Sequence, residues 1–264
     1  MKSALGLGVL FTLTMGATLG QSCATQQTGT LQYPAPAAPA DTSRDCLGIF
    51  IKQFKADNSF AKQFEVAKRL AALGETCVLS DLEPYLKDAD RHVRGNAAFV
   101  FAKLGDDRGF EVIKAIVNDR SPRPPGQGVG FISGSPDAIR AALADPQKQI
   151  AADRGYAVFL FGNLKDRRAV PLLVPLLTDE DVHYNVPWAL AQTGDESAIP
   201  PLIRTLTDKN PDIRFLAIQA LVTLRARQSL PQLRLLLDDS NEIRISPGGP
   251  VSEHARVAID KLRG

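Results

Sequence analysis

The fold is decided by the stretch RGYAVFLFGNLKDRRAVPLLVPLLTD at residues 154–179, which ends on an aspartate. The stretches at 94–119 (RGNAAFVFAKLGDDRGFEVIKAIVND) and 212–239 (DIRFLAIQALVTLRARQSLPQLRLLLDD) have the same order of apolar, charged and turn residues. Successive aspartates in this series lie 31, 31, 60, 29 and 31 residues apart: Asp57, Asp88, Asp119, Asp179, Asp208 and Asp239. The chain is therefore an internal repeat, and the interval of 60 residues indicates that one unit in the middle is modified.

Each unit is predicted to be a pair of short helices. Apolar residues recur at helical spacing on both sides of a turn in mid-unit, as in Ala217, Ala220, Leu221 and Leu224 before it. Glycines, which readily adopt the left-handed backbone conformation that ends many helices, mark this turn at Gly74, Gly105 and Gly194. Prolines suited to a first helical turn follow it at Pro171, Pro200 and Pro231. Such short pairs cannot bury their apolar faces alone, so we expect them to stack as an α-solenoid, with the aspartates as helix caps or inter-repeat turns.

The units resemble HEAT repeats of the short type that is also found in phycobilin lyases, and the resemblance covers residues 43–264. It implies an all-α fold, a right-handed α-α superhelix with two Gly/Pro-rich inter-repeat loops. This fold hosts unrelated activities, so the resemblance specifies the architecture and leaves the function open.

The first 42 residues are predicted to export and tether the protein. Residues 1–24 have one early cation, an apolar run and small residues at the end, which is the layout of a secretory signal peptide. A retained membrane anchor is one alternative, and lipidation of Cys23 is another, although Gly20 stands where a lipoprotein signal requires a large aliphatic residue. Residues 25–42 are a Pro/Ala-rich linker. We therefore expect a periplasmic or secreted protein, attached to a membrane only if it carries a lipid anchor.

Two Gly/Pro-rich segments interrupt the repeat, at 121–136 and 245–252. Both begin at the same inter-repeat turn, so both are expected to project from one edge of the solenoid. In the first segment Arg123, Phe131 and Ile132 would be exposed binding residues. The alternative is that the segments are tolerated surface insertions without a ligand, or that they partly replace a lost helix.

Aromatic residues occupy equivalent positions on three of the first helices: Phe99, Phe159 and Trp188. Each lies two residues, about 200° around a helix, after a small core residue, so it points away from the first apolar face. An exposed column of this kind would bind a partner helix or peptide. The alternative, which we favour, is that the three rings fill the contact between stacked repeats.

The composition argues against catalysis, against a metal and against nucleic acid as a ligand. The net charge of +2 provides no field that would gather a polyanion. The chain has 3 histidines and no His-Glu dipeptide, the element from which the di-iron site of hydroxylases resembling the deoxyhypusine enzyme is built. His183 stands where other units have Arg94, Arg154 and Arg214, so we expect it to make the same local polar contact. We assign no catalytic residue, metal ligand or cofactor.

Two cysteines remain after the predicted signal, Cys46 and Cys77, one period apart in an oxidising compartment. Equivalent positions on stacked helices are usually 8–10 Å apart, wider than a disulfide allows. An imperfect first unit would bring them closer, so both a Cys46–Cys77 bridge and two free thiols stay open.

These observations predict an exported, non-catalytic scaffold whose partner is another protein or peptide. An enzyme of HEAT fold, either an oxidoreductase or hydroxylase or a lyase like those that act on phycobilins, is the competing class. A purely structural role in the cell envelope is the third.

Overall fold

The structure is a computed structural model that describes residues 40–56, 59–123 and 135–264. The predicted signal peptide, Cys23, Phe131 and Ile132 lie outside these residues, as does all but the end of the predicted linker. The first helix begins at Ala40, three residues before the predicted start of the solenoid.

Thirteen α-helices make up most of the described chain. They are α1 (Ala40–Ala56), α2 (Phe60–Leu73), α3 (Val78–Leu82), α4 (Arg91–Lys103), α5 (Asp107–Asn118), α6 (Pro136–Leu143), α7 (Pro146–Leu164), α8 (Val170–Leu173), α9 (Val186–Thr193), α10 (Ile199–Thr205), α11 (Pro211–Thr223), α12 (Leu230–Arg234) and α13 (Val251–Arg263). Short 3₁₀ turns extend the second helices at Glu83–Lys87, Arg167–Ala169, Val174–Thr178, Glu196–Ala198 and Arg227–Ser229. The described ranges contain no β-strand, only an isolated antiparallel bridge between Glu242 and Pro250.

The first helices of the repeats form one continuous row. In this row α2 packs on α4, α4 on α7, α7 on α9, α9 on α11 and α11 on α13, and second helices such as α5, α10 and α12 pack alongside. Large apolar side chains are fully buried between the two layers, among them Phe54, Leu82, Phe101, Phe161 and Phe215. The all-α repeat architecture expected from the periodicity is confirmed.

The modified unit does not form a repeat in the stack. Helix α4 packs directly on α7, although the residues in contact are about two periods apart in sequence. The Tyr156 hydroxyl, for example, donates a hydrogen bond to Asn96 Oδ1 across 60 residues. Helix α6, which follows the insertion, packs beside α7. Helix α6 thus lies outside the row of first helices, and the row continues past it.

The recurring aspartates make the turns between repeats. In each turn the carboxylate accepts a hydrogen bond from the backbone N–H two residues later, at 2.7–3.1 Å, in Asp88, Asp119, Asp179, Asp208 and Asp239. A second set of aspartates caps the second helices in the same way: Asp106, Asp166 and Asp195. Aspartate is thus the acceptor at these turns between repeats and at the N-termini of these second helices.

Buried arginines tie these turns to the first helices. Arg154 contacts Asp179 at 2.6 Å, and Arg214 contacts Asp239 at 2.7 Å. The hydrogen bond from Arg154 holds the pKa of Asp179 below its ordinary value. His183, in the corresponding position of the next unit, has its Nε2 buried with no hydrogen-bond partner among the described residues, so the polar contact expected there is missing at this nitrogen.

The turn in mid-unit requires a left-handed residue. Gly74, Gly105 and Gly194 adopt positive φ values of 75°, 86° and 65°, as predicted. Lys165 and Arg225 hold the equivalent position with φ values of 57° and 52°. A left-handed conformation costs a residue with a Cβ about 1–2 kcal/mol, which glycine avoids.

We therefore expect Lys165→Gly and Arg225→Gly each to raise the free energy of unfolding by about 0.5–1 kcal/mol, because relief of the strain exceeds the added chain entropy. Urea denaturation would measure this change. As a control, Gly105→Ala should lower stability by about 1–2 kcal/mol. If Lys165→Gly and Arg225→Gly both lower the stability, the side chains of Lys165 and Arg225 stabilise the turn and the expected relief of strain is contradicted.

Candidate functional site

A ladder of aromatic rings runs along the row of first helices. The ring of Phe64 packs edge-on against Phe99 and Phe159, with centroids 5.0 and 5.3 Å apart. Phe159 stacks on Trp188 with a centroid distance of 5.5 Å and an interplanar angle of 12°. The ladder therefore joins α2, α4, α7 and α9, and it ends on the tryptophan.

Part of the predicted aromatic column fills the contact between repeats, and part of it is exposed. Phe99 is 2% exposed and Phe159 is partly buried, so both fill the contact between repeats. Trp188 is 37% exposed and presents its ring at the surface. Of the three predicted residues, Trp188 is the most exposed.

Gly162 fixes the position of the Trp188 ring. A Cβ built on Gly162 would clash with Trp188 Cζ3 and lie 2.8 Å from its Cη2. The indole thus rests in a notch that only glycine leaves open, with Phe159 against one face. Trp188 is therefore held in one orientation before any partner binds.

A buried ionic cluster lies where the insertion leaves the stack. The Asp153 carboxylate is completely buried and accepts hydrogen bonds from Arg91 at 3.0 Å and from Arg123 at 3.2 Å. Arg91 also contacts Asp119 at 2.7 Å. His92 Nε2 is 3.5 Å from Asp153 and forms no hydrogen bond there. This cluster joins α4, α7 and the start of the insertion.

The prediction that Arg123 is an exposed binding residue is wrong. Its side chain is 3% exposed, because its guanidinium pairs with the buried Asp153 and does not point into solvent. Arg123 therefore anchors the insertion to α7. The sequence analysis did not single out Asp153. The signal that could have found it is its position as a charged residue in the middle of a helix, directly before Arg154.

The second Gly/Pro-rich segment folds back onto the solenoid. The Ile243 N–H donates to the Gly249 carbonyl at 3.0 Å, and the Val251 N–H donates to the Asn241 carbonyl at 3.0 Å. Ile243 and Ile245 are buried, and the Arg244 N–H donates to Asp212 at 2.6 Å. The expectation of a projecting loop is therefore wrong here, because two isoleucines and the backbone bonds hold the segment against the body.

The described residues do not decide whether Cys46 and Cys77 are bridged or whether the protein is attached to a membrane. Cys77 is exposed and forms no disulfide with any described side chain, and the side chain of Cys46 lies outside those described. No helix in the described ranges is long and apolar enough to cross a membrane. Within the same ranges, no three His, Cys, Asp or Glu side chains are placed to hold a metal ion.

Asp153→Ala should lower the free energy of unfolding by about 3–5 kcal/mol, because it leaves Arg91 and Arg123 buried without their shared carboxylate. Chemical denaturation would measure the loss. Asp137→Ala is the matched control, since the Asp137–Arg140 pair is 87% and 78% exposed and should contribute less than about 1 kcal/mol. An equally small loss for Asp153→Ala would contradict the anchoring role.

Comparison with known proteins agrees with this architecture. The HEAT-repeat family model matches residues 136–204 and 180–246. The chain is similar to the bilin biosynthesis protein PecE of Mastigocladus laminosus, with 33% identity over 112 residues, 40% of this chain and 42% of that protein. It is also similar to the deoxyhypusine hydroxylase of Phaeosphaeria nodorum, with 33% identity over 81 residues, 30% of this chain and 23% of the enzyme.

The chain thus spans less than half the length of these curated relatives. Among solved structures, a designed armadillo repeat protein, YIII(Dq)4CqI, is 18% identical with a TM-score of 0.37, covering 82% of this chain and 99% of the designed protein. The repeat pattern and the paired helices agree with the match to the HEAT-repeat model. Residues 136–246 of the chain consist of HEAT repeats.

Proposed function

We propose that this HEAT-repeat protein is an exported, non-catalytic scaffold that binds another protein through the surface around Trp188. HEAT repeats form extended surfaces suited to protein interaction. The observation that carries the proposal is the combination at Trp188 of 37% exposure and a ring fixed by Phe159 and Gly162.

The position of Trp188 suits a contact that contributes much of the binding energy. Tryptophan is enriched among the few residues that dominate protein interfaces. A side chain that is already ordered loses little conformational freedom when a partner binds, which favours affinity. Trp188 is also the single tryptophan of the chain, so its fluorescence reports on this surface alone.

Export is the second part of the proposal, and it is supported by the signal-like composition of residues 1–24. Expression of the full chain in a Gram-negative bacterium, followed by cell fractionation and mass spectrometry of the mature N-terminus, would test it. We expect an envelope or periplasmic fraction and loss of the first two dozen residues. A full-length protein in the cytoplasm would overturn export, whereas a lipid on Cys23 would identify the membrane attachment.

A catalytic role is the second candidate, because the chain is partly similar to a bilin biosynthesis protein and to a deoxyhypusine hydroxylase. Metal analysis and an absorption spectrum of the purified protein distinguish the two classes. Stoichiometric iron or a bound chromophore would favour the enzyme over the scaffold.

For the scaffold we expect Trp188→Ala to abolish the recovery of a specific partner in crosslinking and co-purification from the native envelope. The loss of a central aromatic contact typically costs 2 kcal/mol or more of binding free energy. Leu235→Ala is the control, since Leu235 is a large apolar residue directly after α12 and is 80% exposed. Equal recovery of every partner by both variants would exclude Trp188 from the interface.

A further inference from the structure

A buried arginine at the start of α11 connects two successive inter-repeat turns. Arg214 donates to the Asp208 carbonyl at 2.7 Å in the turn before α11, and it contacts the Asp239 carboxylate at 2.7 Å in the following turn. A guanidinium has five N–H donors in one fixed plane, so a single side chain can hold two turns at a set distance.

Two other junctions between turns have the same kind of connection. Arg154 donates to the Val117 carbonyl at 2.7 Å and contacts Asp179 at 2.6 Å, so it joins the turns on either side of the insertion. Arg91, at the start of α4, contacts Asp119 in the next turn at 2.7 Å. A buried guanidinium is therefore the usual connection along this edge of the array.

The turns at Asp179 and Asp208 do not have this connection. Residue 183 lies 25 residues before Asp208, the interval that also separates Arg214 from Asp239, but it is a histidine. His183 Nε2 is buried and forms no hydrogen bond with any described residue. Across the ranges that the structure describes, Asp208 forms no ion pair. The two turns are thus not joined by a charged side chain.

A neutral hydrogen bond takes the place of the guanidinium. Asn210 donates from its side chain to the hydroxyl of Tyr184 at 2.7 Å, and Tyr184 is half-buried. A hydrogen bond between neutral groups is about half as strong as one that involves a charged group. This junction therefore has a weaker polar connection than those that contain a buried arginine.

The backbone differs at the same place. Helices α4 and α11 each begin three residues before Arg94 and Arg214, whereas α9 begins three residues after His183. Residues 180–185, which we call the α9 turn, form turns instead of helix. The N–H groups of residues 182 and 183 both donate to the Asp179 carbonyl, at 3.0 and 2.8 Å. The unit thus lacks both the guanidinium and the first part of the helix.

We propose that the α9 turn is a hinge in the array, which opens locally while the helices on both sides stay folded. Hinges are short segments whose backbone dihedral angles absorb a movement. Segments with few stabilising contacts open at the lowest free energy. Trp188 lies three residues after the α9 turn, so a movement at the hinge reaches this residue first. The inference concerns the motion of the array and does not rest on the proposed function.

Native-state hydrogen exchange of the full-length protein, followed residue by residue by NMR, tests the hinge. The backbone N–H groups of Arg94, His183 and Arg214 hold the same position in their units, and each donates to the carbonyl four residues earlier. The three amides are therefore a matched set. We expect the His183 amide to exchange about tenfold faster than the other two, after correction for intrinsic rates.

Four variants separate the hinge from a general loss of stability. His183→Arg supplies the missing guanidinium and should slow exchange at residue 183 about tenfold. Adding Asp208→Asn should remove this gain, because the carboxylate partner is lost. In the converse change, Arg214→His should speed exchange at residue 214 about tenfold. Tyr184→Phe should speed exchange at residue 183 and leave that of Arg94 unchanged.

Several results would overturn the hinge. They are equal exchange of the three amides in the unmodified protein, no slowing in His183→Arg, and slowing that persists in His183→Arg/Asp208→Asn. Exchange that changes equally at all three amides in Tyr184→Phe would report global unfolding and would also contradict a local hinge.

Discussion

The contact between successive first helices is the constraint on which this structure depends. A helix pair of about 25 residues cannot enclose an apolar core, so each pair is stable only against its neighbours. The row from α2 to α13 meets this requirement without interruption. The turns, the buried arginines and the aromatic ladder are all arranged around that row: the aspartates set where each helix begins, and the rings fill the spaces between helices.

Two kinds of chemistry stabilise the junctions along the row. Where repeats follow each other directly, a buried arginine binds the aspartate of its own unit, as Arg214 binds Asp239. Where the insertion leaves the stack, α4, α7 and the start of the insertion meet at one buried carboxylate, Asp153. Buried charges are stable only when they are paired, so this junction is more sensitive to the loss of a single group than an apolar junction would be. The insertion is thus attached to the stack at a defined place.

The architecture was predictable because its signal is periodic and local. The spacing of the aspartates and the left-handed glycines at 74, 105 and 194 follow from backbone geometry that any repeat of this length requires. The site was predictable only in part, because it depends on contacts between residues far apart in sequence. Trp188 was singled out by its register, but its exposure depends on the notch at Gly162. The burial of Arg123 depends on Asp153, 30 residues away, and no pattern in the sequence connects them.

The direct packing of α4 on α7 has a consequence for how the protein unfolds. This contact closes a chain segment about twice as long as those between the other repeats, which adds about 0.6 kcal/mol of loop-closure entropy. In a linear array, cooperativity passes only through such nearest-neighbour contacts. This junction is therefore the contact in the row that chain connectivity favours least, and the ion pairs of Asp153 stabilise it. Trp188 packs on Phe159, on the carboxy-terminal side of the junction, so we expect this packing to persist when the helices on the amino-terminal side open.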